Sequence, residues 1–412
     1  MEEELGHITK LINSARPLDQ NLPVVSFSKQ LYELAVEHQD TDISTSLAAL
    51  FDLAVTALYL QNLGDNGWLY CKDESDGVEK AVLLYPFVNA CPRCTLRNKF
   101  VFAPSRKPSS GVIGQATSLI LTTFLNEHTS KKTNGQCKIH ILGGSGVVDA
   151  IGIEENKVCL FEIKSAPLIT FPVVANTSLL SVTNNDGELT HPVHKAVTLP
   201  PDYSGDLSIL ISENLTIPIG TKSESETSIY ERLIEFLRNG ENFKLFVREW
   251  ENIFAKYRGD QPKTGTFWLT NGCGQPTPRP ADWQARRTGS GWESISDGKS
   301  SVGLDRTDDI KKGIYQVMKI GTHFKEFSKE QPFEIFTVLA SNIHAVKHHG
   351  EYLKEFEDMM WTIDAADRTY VVNRDNENTV IKSEGLYNLY DGLITFTNSH
   401  YRSDWVKNNF GF

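Results

Sequence analysis

The sequence predicts an α/β protein with a helical N-terminal part and a large insertion, and three observations along its 412 residues carry that reading. Apolar residues recur at helical spacing between Ser26 and Leu63. A helix-like stretch, 111–128, runs directly into three short β-rich runs. A helix from Thr307 then precedes an apolar strand at Phe333–Leu339.

In chain order, Leu31, Leu34 and Ala35, then Leu47, Leu50, Phe51, Ala54 and Leu58, give the helical N-terminal part. Val82–Val88 reads as a strand, followed by the knuckle Cys91-Pro-Arg-Cys94 and a Pro/Ser/Lys linker at 103–110. In the next helix Ile113, Ala116, Leu119, Ile120 and Phe124 share one side. The β-rich runs are Lys138–Leu142, Gly146–Ile153 and Lys157–Lys164, with turns at Gly143-Gly144 and Glu154-Glu155-Asn156. Further strands fall near 171–175, 207–212 and 266–270, and helices at 227–238 and 241–257. The stretch 271–304 is rich in Gly, Ser and Pro and too long for an idle loop. Thr307 caps a helix to Ile320 with Asp308 and Asp309 in its first turn, where acids suit the helix dipole. A helix at 350–361 and two or more strands within 369–397 close the chain.

These elements suggest four stretches: a mainly helical 1–90, the knuckle and first core half at 91–165, an insertion at 166–305, and the second core half with C-terminal strands at 306–412. An apolar share of 40% and a charged share of 23% are ordinary for a soluble globular protein. Glu2, Glu3 and Glu4 replace the positive start of a secretory signal, and no run of 18 apolar residues occurs, so a cytoplasmic, non-membrane protein is expected. Six cysteines are too few for a disulfide framework and should be reduced or metal-bound. A net charge of −11 excludes coating nucleic acid by bulk electrostatics. The charge is uneven, however: residues 91–126 carry five bases and no acid, and 261–325 carry ten bases against six acids.

Strand alternation in Lys157–Lys164 puts Leu160, Glu162 and Lys164 on one face and Cys159, Phe161 and Ile163 on the other. Asp149 stands in the preceding run between apolar neighbours, where an unpaired charge is costly. Metal chemistry gives these charges a reason. Asp149 and Glu162, with the backbone carbonyl of Ile163 as a third oxygen, could bind Mg²⁺, which polarises a phosphate and acidifies a bound water. Lys164 would orient that water or offset charge on the phosphate. The spacing alone is weakly specific; its setting on two adjacent strands after an amphipathic helix carries the weight. A buried Asp–Lys salt bridge with a rim Glu is the bland alternative.

At this point the chain resembles the PD-(D/E)XK nuclease superfamily, whose fold is that of type II restriction endonucleases. By that resemblance Asp149 corresponds to the first acid and Glu162-Ile163-Lys164 to the (D/E)XK element, with Val148 where the name-giving proline often stands. The resemblance covers 111–164 and extends to 307–340. It implies a restriction-endonuclease-like core, a mixed central sheet flanked by helices, and Mg²⁺-dependent hydrolysis of phosphodiester bonds. The core helix 307–320 would bury Ile310, Ile314, Val317 and Met318, leaving Lys312, Gln316 and Lys319 to approach the scissile phosphate or to be solvated. Glu127 would add a metal ligand, as in some members, or simply end its helix.

Cys91-Pro-Arg-Cys94 has the spacing by which two thiolates grip one Zn²⁺, and Cys71 and Cys137 would complete a four-thiolate structural site. Arg93 and Arg97 beside it would suit a DNA backbone. Arg279, Arg286 and Arg287, interspersed with Trp283 and Trp292, make the long loop a candidate DNA-reading segment or a surface loop with its Trp residues tucked in.

The large insertion and the absence of a Walker A motif point to an ATP-independent, sequence-specific double-stranded DNA endonuclease of type II restriction kind, and the resemblance implies that it acts as a homodimer. The alternatives are a structure-dependent repair or recombination nuclease on the same core, and a non-catalytic zinc-containing DNA-binding protein.

Overall fold

A computed structural model of the protein describes residues 2–75, 78–87, 90–98, 101, 110–142, 148–175, 196–199, 203–262, 302–305, 307–325, 332–346, 350–357, 359–364, 370–374 and 383–412. The chain forms two compact units, each assembled from separated segments. Met1–Tyr32, Thr117–Ala166 and Val302–Phe412 make the first, and Glu33–Ala116 with Pro167–Ser301 the second. Where the sequence suggests four consecutive stretches, the first 90 residues are thus divided after Tyr32.

The first unit is α/β and centres on a mixed seven-stranded sheet. Its strand order is Ala15–Arg16, Lys138–Leu142, Ala150–Glu154, Lys157–Ile163, Glu334–Ala340, Gly392–Ile394 and His400–Tyr401. Lys138–Leu142, Ala150–Glu154 and Lys157–Ile163 form an antiparallel meander. Lys157–Ile163 then pairs in parallel with Glu334–Ala340, and that strand in parallel with Gly392–Ile394. Parallel neighbours need a crossover, and the helix Thr307–Phe324 lies on that path and packs against both strands it joins. Ile310, Ile314 and Val317 meet Leu339 and Leu393, while Ile320 and Phe324 meet Ile151, Val158 and Leu160. On Lys157–Ile163, Phe161 meets Phe410 of the helix Asp404–Phe410 edge to face at 5.1 Å. Gly152 on the middle meander strand permits this, since a Cβ there would lie 2.9 Å from the Phe410 ring.

Three sequence expectations change in this unit. The middle meander strand begins at Ala150, so Asp149 stands just before it and is exposed rather than enclosed by apolar neighbours. Thr307 already belongs to its helix, which continues past Ile320 to Phe324 because Ile320 and Phe324 prolong the apolar stripe. The expected helix 350–361 ends at Glu357; Met359–Asp364 is a strand between Tyr370–Arg374 and Ser383–Asn388. Helical periodicity in such a stretch is blind to partner strands supplied later in the chain.

The second unit holds a six-stranded antiparallel sheet in the order Leu215–Gly220, Leu207–Ser212, Val173–Ala175, Val78–Tyr85, Asn66–Ser75 and Ala196–Thr198. The stretch 1–90 is therefore not simply helical: it contributes the hairpin of Asn66–Ser75 and Val78–Tyr85. The helix Ile43–Leu60 starts where Asp42 accepts the Thr45 N–H at 2.8 Å. It is long and apolar enough to cross a membrane, with mean hydropathy 1.7, yet 78% of it is buried in the protein. At its centre Asp52 accepts the N–H groups of Leu168 (3.1 Å) and Ile169 (3.2 Å) and the Trp250 indole (2.7 Å). Burial pushes its carboxyl up to about 8 against the pull of these donors. Asp52 is thus an internal anchor for the segment that follows Ala166.

Candidate functional site

The acid and lysine residues of the sequence motif converge at the C-terminal end of Lys157–Ile163. That end is held from three sides. The Lys164 N–H donates to the Ala340 carbonyl at 2.9 Å, extending the parallel pairing by one residue. The Asn342 side chain accepts the Ala166 N–H (3.1 Å) and donates to the Ala166 carbonyl (2.7 Å). Thr117 donates its hydroxyl to the Ser165 carbonyl at 3.0 Å. Glu162 and Lys164 therefore project from a fixed backbone, as a metal site requires.

Within this frame one Asp149 carboxylate oxygen accepts the Ile163 N–H at 2.7 Å. The hydrogen bond brings the residue before the middle strand against the end of its neighbour. Glu162 is buried, with 4% of its surface exposed, and its carboxylate contacts the Lys164 ammonium. Lys164 also donates to the Ile163 carbonyl at 3.3 Å. Burial first, and the Asp149 charge second, push the Glu162 carboxyl up to about 7, while Lys164 pulls it back. Two carboxylates and a carbonyl oxygen thus lie within one small neighbourhood. One lysine does not fully offset the acids, which is the electrostatic condition a divalent cation relieves.

Glu127 stands elsewhere. It lies ten residues beyond Thr117 on the helix Ser110–Lys132, about 15 Å along the axis at the rise of an α-helix, and faces Lys29 at 3.9 Å. It is a helix-end carboxylate rather than a further metal ligand.

On the crossover helix, Gly313 faces Leu339, the residue paired with Glu162, so the helix's N-terminal half is level with the site. Lys312 and Lys319 are exposed. Gln316 is half-buried, and its amide oxygen is buried with no hydrogen bond among the described residues. Tyr315, 62% exposed between the two lysines, is a feature the sequence reading passed over. A helical wheel would have shown it outside the apolar stripe.

In the second unit Cys71, Cys91 and Cys94 offer three sulfur atoms within 4.8 Å of one another, and the group could hold a metal ion such as zinc. Cys137 is not in it. That residue belongs to the first unit, where its N–H is taken by the Thr133 hydroxyl at 3.0 Å and burial pushes its thiol up to about 12. The four-thiolate set Cys71, Cys91, Cys94, Cys137 is therefore corrected to three. Cysteine spacing does not reveal that Thr133 fixes Cys137 at the head of a sheet strand. Arg93 is half-buried, and Arg97 is paired with Glu213 at 2.9 Å. Arg279, Arg286 and Arg287 lie outside the described residues.

The chain matches no protein-family model, no curated protein and no solved structure.

Proposed function

We propose that the protein is a Mg²⁺-dependent nuclease that hydrolyses phosphodiester bonds in double-stranded DNA, in the manner of a type II restriction endonuclease. The observation that carries this reading is the buried Glu162 carboxylate, with Asp149 bonded to the next residue's N–H and the Lys164 ammonium in contact, at the clamped end of a strand. Its setting supports it. A helix, an antiparallel meander, a crossover helix and a parallel strand follow one another in the first unit, the order that the PD-(D/E)XK resemblance implies.

Asp149 and Glu162, with the Ile163 carbonyl, would hold the cation. Bound there, Mg²⁺ supplies electrophilic pull on a phosphate oxygen and lowers the pKa of a coordinated water. Lys164 keeps an ammonium where negative charge develops on the phosphate. Lys312 and Lys319, with the exposed Tyr315 between them, give the crossover helix a face suited to the DNA backbone. Zinc has no part in this chemistry; it would be a structural ion of the other unit.

The deciding experiment incubates the protein with mixed plasmid DNA and Mg²⁺ and sequences the resulting ends. One recurring end sequence supports a restriction enzyme, and ends confined to branches or nicks support a repair or recombination nuclease instead. Cutting that persists unchanged in Glu162→Ala, or no Mg²⁺-dependent cutting at all, removes the catalytic assignment.

A further inference from the structure

We infer that Cys71, Cys91 and Cys94 bind one zinc ion that fastens the strand Asn66–Ser75 to the Cys91–Cys94 turn, with Cys137 taking no part. The inference does not rest on the nuclease reading, because its evidence is the arrangement of three thiols in the second unit.

The three sulfurs come from two separate pieces of chain. Cys71 lies within Asn66–Ser75, opposite Val82 of the neighbouring strand. Cys91 precedes and Cys94 lies within the short helix Pro92–Leu96. That turn is set by backbone bonds: the Cys91 N–H donates to the Val101 carbonyl at 2.8 Å, and the Thr95 N–H and hydroxyl both donate to the Cys91 carbonyl at 3.0 Å. The two-residue spacing thus presents both sulfurs toward the strand.

The separations fit a metal and not a disulfide. Cys71 and Cys94 have their sulfurs 3.9 Å apart, and none of the three cysteines is in a disulfide. A tetrahedral zinc with Zn–S bonds of about 2.3 Å sets its sulfurs about 3.8 Å apart, whereas a disulfide needs about 2 Å. Thiolates select a soft or borderline cation over Mg²⁺ or Ca²⁺. Among the described residues no fourth Cys, His, Asp or Glu joins the group, so the fourth ligand comes from beyond these three.

The test uses the full chain, purified without added metal and analysed for its elements. About one zinc per chain is expected. Zinc should fall at least about tenfold in Cys91→Ser and stay unchanged in Cys137→Ser. Should Cys91→Ser fail to fold, the native protein still decides: titration with a mercurial in the presence of a zinc indicator should release zinc in step with loss of the thiols. No zinc in protein refolded with ZnCl₂, zinc content indifferent to Cys91→Ser, or a coloured iron-containing protein would each overturn the assignment.

Discussion

Two of the first unit's buried acids pair with a lysine and differ by only one methylene, Glu162 with Lys164 and Asp391 with Lys325. Their surroundings differ in kind. Asp391 is saturated: one oxygen takes Lys325 and the Thr337 N–H at 2.7 Å, the other takes the Asn388 amide at 3.2 Å. Lys325, 6% exposed, also reaches the Asn388 carbonyl at 3.4 Å. Among the described residues no second carboxylate forms a salt bridge with Lys325. Among the described residues Glu162 has Lys164 as its one side-chain partner, a second acid beside it, and a lysine side chain that is 26% exposed. The first arrangement ties the strand Glu334–Ala340 to the chain entering Gly392–Ile394. The second keeps unmet electrostatic demand at an accessible strand end. What separates a structural ion pair from a candidate site is thus the count of donors and competing charges around the carboxylate.

That contrast predicts opposite phenotypes. If Glu162 holds the cation as proposed, Glu162→Gln should lower Mg²⁺-dependent DNA cleavage by roughly 10³-fold, because the carboxylate's charge is lost. Its thermal unfolding at pH 8 should be unchanged or slightly higher. A Glu162→Gln protein that cleaves normally but melts early would merge the two pairs into one structural class. Asp391→Ala should do the reverse, costing about 3–5 kcal/mol in denaturant unfolding because Lys325 is left buried and unpaired. Activity per folded molecule should survive. Retained stability in this variant would break the comparison from its other side.

The pH dependence sharpens it further. Glu162 must lose its proton to bind a cation, so at subsaturating Mg²⁺ the cleavage rate should rise about tenfold per pH unit below about 7 and level off above it. A profile flat from pH 5 to 8 would contradict the assignment. Stability of the metal-free protein runs the other way. A carboxyl whose folded pKa is raised favours its protonated form in the fold, so its contribution declines as pH rises from the unfolded carboxylate pKa to about 7.

His128 provides a control without chemistry. Its ring meets the Tyr32 hydroxyl at 3.3 Å and the Gly411 carbonyl at 2.7 Å, and burial lowers its pKa to about 4 despite the Gly411 bond. The neutral ring is the folded form, so stability is full above about pH 6.5 and declines as pH falls toward 4, by up to about 1.4 kcal/mol per pH unit. In His128→Gln the acid-side slope should flatten, read by urea midpoints between pH 4 and 7. The smallest effect is expected from the surface. Lys312→Ala with Lys319→Ala should weaken DNA binding evenly across sequences and reduce the logarithmic salt slope by about 2. An unchanged slope would take the crossover helix out of the interface.

Legibility in the sequence follows how local each feature is. Glu162 and Lys164 are two residues apart on one strand, so alternation alone put them together, and the apolar stripe of Ile310, Ile314 and Val317 was equally readable. The exposure of Asp149 was not, because it depends on where Ala150 begins to pair. The hairpin of Asn66–Ser75 was masked by the helical pattern preceding it. Asp391 and Lys325 lie 66 residues apart in ordinary contexts, and nothing marks them as partners. Cys137 looked as eligible as Cys71 because spacing carries no information about which unit a residue joins. Asn342, which clamps the strand end through Ala166, carried no signal at all.

The division of the chain between units bears on how the protein is made. A polypeptide leaving the ribosome carries Asp149, Glu162 and Lys164 long before it carries Glu334–Ala340 or Gly392–Ile394, the strands that complete their sheet on one side. The intervening Pro167–Ser301 belongs to the second unit, which can close first. The clamp that Ala340 and Asn342 place on the strand end is therefore completed late in synthesis, through contacts of long sequence separation that form slowly. A chain stopped before residue 334 would hold every motif residue and lack the neighbouring strand that positions them.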